Sequence, residues 1–135
     1  MKKKYFIIFL LLNILITTNQ SAKELLVYAD SIHYDSDKNL IAKGKVKILS
    51  GKEIITSELV IVNDLTNKII LPTNFQYKDE KNNYYFGSKG EFSSDLEYGT
   101  IENVKLLLND GSRIVGKEAI KDGYIDIINK GVFSP

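Results

Sequence analysis

The chain lacks cysteine and tryptophan, and it has only one histidine, one methionine and two prolines among its 135 residues. Without cysteine it can form no disulfide scaffold, no thiolate metal site and no cysteine nucleophile. It also lacks an excess of charge of either sign, because 18 Lys and Arg face 17 Asp and Glu, so nothing in its electrostatics favours a nucleic-acid partner. The length allows one domain, and 44% hydrophobic residues is too many for a largely disordered chain.

The beginning of the chain has the layout of an export signal. Three consecutive lysines follow the first methionine, residues 5–16 are apolar with one exception, and residues 17–22 are polar or small. This apolar stretch is too short for a membrane-spanning helix, which needs about 20 residues. We expect a signal peptide over residues 1–22, cleaved after Ala22, and an exported domain over residues 23–135. A retained N-terminal anchor is the alternative. The domain would carry 15 basic and 17 acidic residues, a net charge of −2.

From residue 23 onward, short apolar runs alternate with turn-forming residues at regular spacing. The runs are rich in Ile, Val, Leu, Tyr and Phe and often alternate with a period of two, as in residues 45–48, which is typical of strands. No window of eleven residues carries an apolar stripe with helical spacing. The turn-prone breaks are residues 35–39, 50–52, 63–64, 79–83, 93–95, 109–112, 122–123 and 129–131. This pattern predicts an all-β fold, whether a sandwich, a jelly roll or a solenoid.

Two series of positions repeat with a period close to 29 residues. The first series begins apolar runs after a polar or turn-prone pair, at Val46, Phe75, Val104 and Val132. The second consists of small residues that we expect to open the following strand: Ala29, Ser57, Gly87 and Gly116. Four units with two strands each would stack into an antiparallel structure with an open edge at both ends.

Strand alternation predicts which side chains face inward. In the first repeat, Lys45 and Lys47 fall on the side opposite Val46 and Ile48, so one face is buried and one is exposed. The predicted inward-facing set comprises Val46, Ile48, Phe75, Tyr77, Val104, Leu106 and Leu108. These residues would form a continuous apolar lining, either of an ordinary closed core or of a groove open to acyl chains. Apolar strand faces usually pack on each other, which favours the closed core.

Several motifs that imitate ligand sites lack a required residue. Residues 111–117 match the start of a phosphate-binding loop, but Glu118 stands where Ser or Thr would bind magnesium. Residues 35–39 imitate a calcium loop, but Leu40 occupies the glycine position, which predicts a simple turn. His33 lies within an alternating strand, where a structural role is expected. The sequence therefore predicts no catalytic residue, no metal site and no cofactor.

A series of segments that begins with residues 29–35 and 41–46 resembles, in its order, the OstA-like domain family, whose periplasmic members carry lipopolysaccharide to the outer membrane. Residues 29–35 and 41–46 are similar to the opening of an OstA-like domain. The later segments are most similar to the N-terminal periplasmic domain of the outer-membrane lipopolysaccharide-assembly protein, and they are residues 86–93, 101–106, 110–113 and 132–135. The resemblance extends over residues 29–135.

The resemblance implies a twisted, open jelly roll of stacked antiparallel strands with a taco-like shape. It also implies a periplasmic module of lipopolysaccharide transport, associated with the outer membrane through its partners, that shields acyl chains in an apolar groove. Its implied partners are lipopolysaccharide and a bridge protein of the same fold, joined by pairing of edge strands. A separate outer-membrane barrel is a further candidate partner.

The sequence departs from the family where the assembly protein continues into cysteines and a barrel. We therefore expect a truncated N-terminal domain that does not insert lipid by itself. A fragment of a split or frame-shifted gene would be such a domain, and a stand-alone bridge protein and a short relative anchored by its N-terminus are the alternatives. A different class of function is also open, namely a structural strand-pairing scaffold that holds no lipid, or a non-functional fragment.

Overall fold

The computed structural model describes residues 24–135 and, within them, every side chain except those of residues 124–127. The predicted signal peptide, residues 1–22, lies outside the described residues, so its presence and cleavage stay predictions. Residues 24–135 contain strands and turns only, and therefore no helix of a length and polarity that could span a bilayer.

Twelve strands form a single antiparallel sheet in the described part of the chain, which confirms the all-β prediction. The strands are β1 (Leu25–Tyr28), β2 (Ser31–Tyr34), β3 (Asn39–Ser50), β4 (Glu53–Asn63), β5 (Lys68–Leu71), β6 (Phe75–Lys78), β7 (Tyr84–Gly87), β8 (Lys89–Ser93), β9 (Tyr98–Leu107), β10 (Arg113–Asp122), β11 (Tyr124–Asn129) and β12 (Val132–Ser134). The turns after β2, β3, β4, β6, β8, β9, β10 and β11 fall at or next to the predicted breaks, whereas the interruptions after β1, β5 and β7 are not among them.

These twelve strands make up eight long ones, because four of the long strands are broken in the middle. Strands β1 and β2 lie end to end along β3, and β5 and β6 lie along β4. In the same way β7 and β8 lie along β9, and β11 and β12 lie along β10. The long strands follow one another in chain order, so the sheet is a meander of the four two-stranded units that the repeat predicts.

Each long strand changes direction near its middle, at the positions of the two repeat series. In β3 the pairing register shifts between Lys43 and Val46, and Lys45 has a φ of 46°. Asn103, which like Lys45 directly precedes a residue of the first series, has a φ of 52°, and so does Lys130 between β11 and β12. A residue in the left-handed region inside a strand produces a bulge and bends the strand. The period of about 29 residues is therefore the chain length from one bend to the next equivalent bend.

The small residues of the second series lie at bends, not at strand starts. Ser57 and Gly116 lie within β4 and β10, and Gly87 ends β7. A Cβ atom at Gly87 would lie 2.5 Å from Cγ2 of Ile101 and 2.8 Å from the Phe75 ring. The expectation that these residues open strands is therefore wrong, and the reason for their small size is that the sheet folds over on itself there.

The bends divide the sheet into two half-sheets. The front half-sheet comprises residues 25–28, 46–50, 53–57, 75–78, 84–87, 104–107, 113–116 and 132–134. The back half-sheet comprises residues 31–34, 39–43, 59–63, 68–71, 89–93, 98–102, 118–122 and 124–129. The Phe92 ring of the back half-sheet lies 6.0 Å from Phe75 and 5.5 Å from Tyr77 of the front one. The two half-sheets therefore face each other around a shared interior.

The turns at the ends of the strands are held by short side chains. The Asp35 carboxylate accepts hydrogen bonds from the backbone N–H groups of Asp37 and Asn39, each at 2.9 Å. The bonds from the backbone and side chain of Asn39 hold the pKa of Asp35 below its ordinary value. Asp79 accepts equivalent bonds from Asn83. The segment that imitates a calcium loop is thus a turn, as predicted.

Candidate functional site

The residues predicted to face inward do lie on the interior side of the sheet. Val46, Ile48, Tyr77 and Val104 are at most 1% exposed, while Phe75 and Leu106 are 5% exposed and Leu108 is partly buried. The strand alternation that predicts their inward orientation is confirmed. Their contact with lipid stays a prediction.

The middle of the interior is a closed core. Tyr77, Phe92, Leu96 and Ile48 are all less than 2% exposed. The aromatic rings of Phe92 and Tyr77 contact each other across the half-sheets, and Gly99 leaves room for the Phe92 ring, which an added Cβ would approach to 2.5 Å. The closed core that strand packing favours therefore describes this part of the interior.

A cleft of about 550 Å³ opens between the half-sheets beside this closed core. Its apolar wall is formed by Leu106, Leu108, Ile114 and Ile128, and its polar groups come from Glu53, Tyr77, Asp79, Glu80, Lys81, Asn83, Tyr85, Glu97 and Lys121. The cleft therefore includes three of the seven predicted lining residues, Tyr77, Leu106 and Leu108. Ile48 and Val104 lie in the packed core away from the cleft.

A buried ion pair lies at the polar end of the cleft. Lys121 Nζ is 3.3 Å from Glu53 Oε1, and the two side chains are 6% and 5% exposed. Lys121 also donates a hydrogen bond to the Leu96 carbonyl, and the Tyr77 hydroxyl donates to Glu53 at 2.5 Å. Because Glu53 belongs to the front half-sheet and Lys121 to the back one, this ion pair joins the half-sheets across the interior.

Two tyrosines beside the ion pair are held in their neutral form. Burial raises the pKa of Tyr77 far above its ordinary value, and the hydrogen bond to Glu53 raises it further. Burial also raises the pKa of Tyr85, whose ring stacks on Tyr77 at 5.2 Å and whose hydroxyl donates to Asp79. Both phenols are therefore fixed hydrogen-bond donors at physiological pH.

Most residues that line the cleft are not among the predicted lining residues, including Glu53, Ile114, Lys121 and Ile128. The alternation of the strands contained the signal for the ion pair. Glu53 has the same parity as the buried Ile55, and Lys121 has the same parity as the buried Ala119. An acid and a base at inward positions of two strands would have predicted that they pair, because a lone buried charge is strongly disfavoured.

The segments set aside as false motifs have ordinary structural roles. Residues 113–116 of the loop-like segment lie in strand β10, which confirms their interpretation as a strand. His33 lies in the edge strand β2 and is exposed. Among the residues with described side chains, no three acidic or histidine groups converge to hold a metal ion.

Together these features define a class of protein: a meander of bent strands folded into two facing half-sheets around an apolar interior. A solved structure of this class is that of LptH from Pseudomonas aeruginosa, described as the LptA homologous periplasmic component of the conserved lipopolysaccharide transport device. The TM-score is 0.64 at 16% identity, and the match covers 79% of this chain and 81% of that one. The two proteins share a fold, which confirms the jelly roll that the sequence resemblance implies.

No family model and no curated protein matches the sequence. The assignment of the fold to a known class therefore rests on the structural match with LptH, which is described as an LptA homologue. The predicted closer likeness to the N-terminal domain of the outer-membrane assembly protein, LptD, stays a prediction.

Proposed function

We propose that this chain is a periplasmic module of lipopolysaccharide transport that shields acyl chains in the cleft between its half-sheets. The fold supports this role, because the LptH structure that shares it is described as a component of that transport device. We further propose that the module takes the position of an LptD N-terminal domain, and that a separate outer-membrane barrel is among its partners.

The observation that carries the proposal is the apolar wall of the 550 Å³ cleft. Leu106 and Ile114 lie in strands of the front half-sheet, Leu108 directly follows β9, and Ile128 lies in β11 of the back half-sheet. A chain lying in the cleft would therefore be covered from two sides. Each methylene group removed from water is worth about 0.8 kcal/mol. By covering several methylene groups, a wall of this kind lowers the free-energy barrier for moving an acyl chain through an aqueous compartment, by about 0.8 kcal/mol for each group.

The sheet edges supply the surfaces for assembly. Within residues 24–135, β1 and β2 have a neighbouring strand on one side only, and so do β11 and β12. Such edges carry unpaired backbone groups and readily add a strand from another protein. We propose that they pair with a bridge protein of the same fold, so that the interiors of the two proteins become continuous.

Site-specific photo-crosslinking in intact cell envelopes tests the proposed function. Photoreactive residues are placed at Leu108 and Ile114, which are partly buried and therefore tolerate a larger side chain, and at Thr100 on the outer face as the control. We expect adducts with lipopolysaccharide from Leu108 and Ile114 and none from Thr100. A folded, exported protein that gives no adduct from either cleft position would overturn the shielding role.

A scaffold that holds no lipid is the second candidate, because the middle of the interior is packed. Ile48 and Phe92 are at most 1% exposed and do not line the cleft, so this part of the fold would act by rigidity alone. The scaffold role predicts that the sheet edges pair with a partner and that no position gives a lipid adduct. Successive N–H groups of the edge strand β2 point alternately toward β3 and outward. Of the two single variants Ile32→Pro and His33→Pro, one therefore loses an outward N–H group. Loss of the bridge partner in that variant, without lipid adducts in the parent, would identify the scaffold.

A further inference from the structure

The outer face of the front half-sheet carries positive charge without negative charge. Its strand positions form two rows that cross the sheet in register. The first row is Tyr28, Lys47, Thr56, Gln76, Phe86, Lys105, Val115 and Val132. The second row is Leu26, Leu49, Ile54, Lys78, Tyr84, Leu107, Arg113 and Ser134. These rows contain four cations and no Asp or Glu.

The outer face of the back half-sheet differs in this respect. Its strand positions carry Lys43, Lys68 and Lys89 together with Glu91, Glu102, Glu118 and Asp122. Lys68 pairs with Glu91 at 3.0 Å. Since the described residues are acidic on balance, the four cations of the front face reflect a segregation of charge between the two faces rather than a generally basic protein.

Exposed apolar side chains lie among these cations. The large hydrophobic side chains of the front outer face that are more than a third exposed are Leu26, Tyr28, Phe86, Leu107, Val115 and Val132. Two shallow clefts, of about 460 and 390 Å³, meet at Phe86. Lys47 borders one of them and Lys105 the other. Glu58 at the bend also lines the first cleft, where its carboxylate accepts a hydrogen bond from the Lys45 backbone.

The distribution of these groups distinguishes between partners. A protein interface has a contiguous apolar centre from which lysine is depleted. Here Lys78 and Lys105 lie on the fourth and the sixth of the eight strands, and exposed apolar side chains lie on both sides of them. Lysine and arginine attract anionic headgroups, while single aromatic and aliphatic side chains insert at the level of the headgroups. A face of this composition is complementary to a bilayer surface.

We propose that the outer face of the front half-sheet docks onto a bilayer surface that carries anionic phospholipid, with Phe86 inserted between Lys47 and Lys105. The face lies on the side of the front half-sheet opposite the cleft, so docking would leave the cleft and both sheet edges accessible. This inference does not depend on the acyl-chain role, because it concerns residues that do not line the cleft.

Vesicle binding tests the docking with matched variants. Vesicles of phosphatidylcholine with 30% phosphatidylglycerol, and vesicles of phosphatidylcholine alone, are sedimented with the protein. The front variant is K47Q/K105Q/R113Q, and the back variant K43Q/K68Q/K89Q loses the same charge from the other face. We expect wild-type protein to bind the anionic vesicles only, the front variant to bind at least tenfold more weakly, and the back variant to stay within twofold of wild type.

A fluorescence probe gives a second readout that does not rely on the triple variants. Because the chain has no tryptophan, Phe86→Trp introduces a single reporter on the front face, and Tyr98→Trp places one on the outer face of the back half-sheet. We expect anionic vesicles to shift the emission of Trp introduced at Phe86 to the blue and to leave that at Tyr98 unchanged. Absence of binding by the wild type, equal losses in both triple variants, or a shift at Tyr98 alone would overturn the proposal. Binding of an acidic protein without vesicle binding would count among those failures.

Discussion

Glu53 and Lys121 lie 68 residues apart in the chain and meet at 3.3 Å inside the molecule, each side chain almost fully buried. This ion pair is the polar contact that joins the front and back half-sheets at the end of the apolar cleft. Its position makes two expectations testable: a large loss of stability when one partner is removed, and a loss of stability at high pH through Tyr77, whose hydroxyl donates to Glu53.

Removal of one partner of the ion pair should destabilise the protein strongly. Lys121→Met removes the cation that lies 3.3 Å from the buried Glu53 carboxylate, and breaking a buried ion pair costs about 3–5 kcal/mol. The double variant Glu53→Gln/Lys121→Met should recover most of that loss, because no charge then remains buried. Urea unfolding monitored by circular dichroism measures both. Lys68→Met is the control, since its exposed pair with Glu91 contributes about 0.2–1 kcal/mol. Equal losses for Lys121→Met and Lys68→Met would contradict the structure.

The buried phenols predict a loss of stability at high pH. The pKa values of Tyr77 and Tyr85 are raised by burial above the ordinary 10.0, so their contribution is complete below pH 10 and is lost as the pH rises further. Above pH 10 each phenol lowers the free energy of unfolding by about 1.4 kcal/mol per pH unit. Melting temperatures between pH 8 and 12 should fall less steeply for Tyr77→Phe/Tyr85→Phe than for the wild type. The exposed control Tyr98→Phe should keep the wild-type slope.

Enlargement of a small residue at a bend should also destabilise the protein. In Gly87→Ala the new methyl group meets Cγ2 of Ile101 at 2.5 Å and the Phe75 ring at 2.8 Å, so both must move. Overpacking of this kind costs about 1–3 kcal/mol. Thr100→Ala on the outer face should change the free energy of unfolding by less than about 0.5 kcal/mol. An unchanged midpoint of urea unfolding for Gly87→Ala would refute the close approach of the half-sheets.

The same substitution should have opposite effects at two positions of β3. Lys45 has a φ of 46°, a conformation that glycine adopts without steric cost, so Lys45→Gly should raise the free energy of unfolding by about 0.5–1 kcal/mol. Lys47 is exposed in the regular part of the strand, where glycine costs about 0.5–1 kcal/mol. Thermal unfolding compares the two variants directly. A loss of stability in Lys45→Gly as large as that in Lys47→Gly would show that the bend does not strain the chain.

Much of the fold could be predicted from local features of the sequence. Turn residues and period-two alternation are local, so the strands, the inward parity of Val46 and Ile48, and the two-stranded repeat follow from them. The positions of the bends appear in the sequence as a periodicity, but the periodicity does not by itself show that the strands bend there. Nothing in the sequence says that Lys45 takes a positive φ, because lysine rarely adopts that conformation. The small residues were therefore assigned to strand starts.

The candidate site was harder to predict because it depends on distant contacts. The cleft is lined by Ile114 and Ile128, which belong to different long strands, and Glu53 and Lys121 lie at its polar end. Strand alternation predicts on which side of the sheet each side chain lies, but it does not predict which part of the interior is closely packed. The Phe92 ring fills the middle, and only its contact with Tyr77 shows where the packing stops and the cleft begins.

The order of the long strands gives the molecule a simple relation between chain length and size. Every long strand pairs with the ones before and after it in the chain, so a whole two-stranded unit can be added or removed without re-pairing the others. Neighbouring strands lie about 4.8 Å apart, so each unit of two strands extends the sheet by about 10 Å. The number of units therefore determines the extent of the sheet, and relatives with different numbers of units would span different distances with the same cross-section.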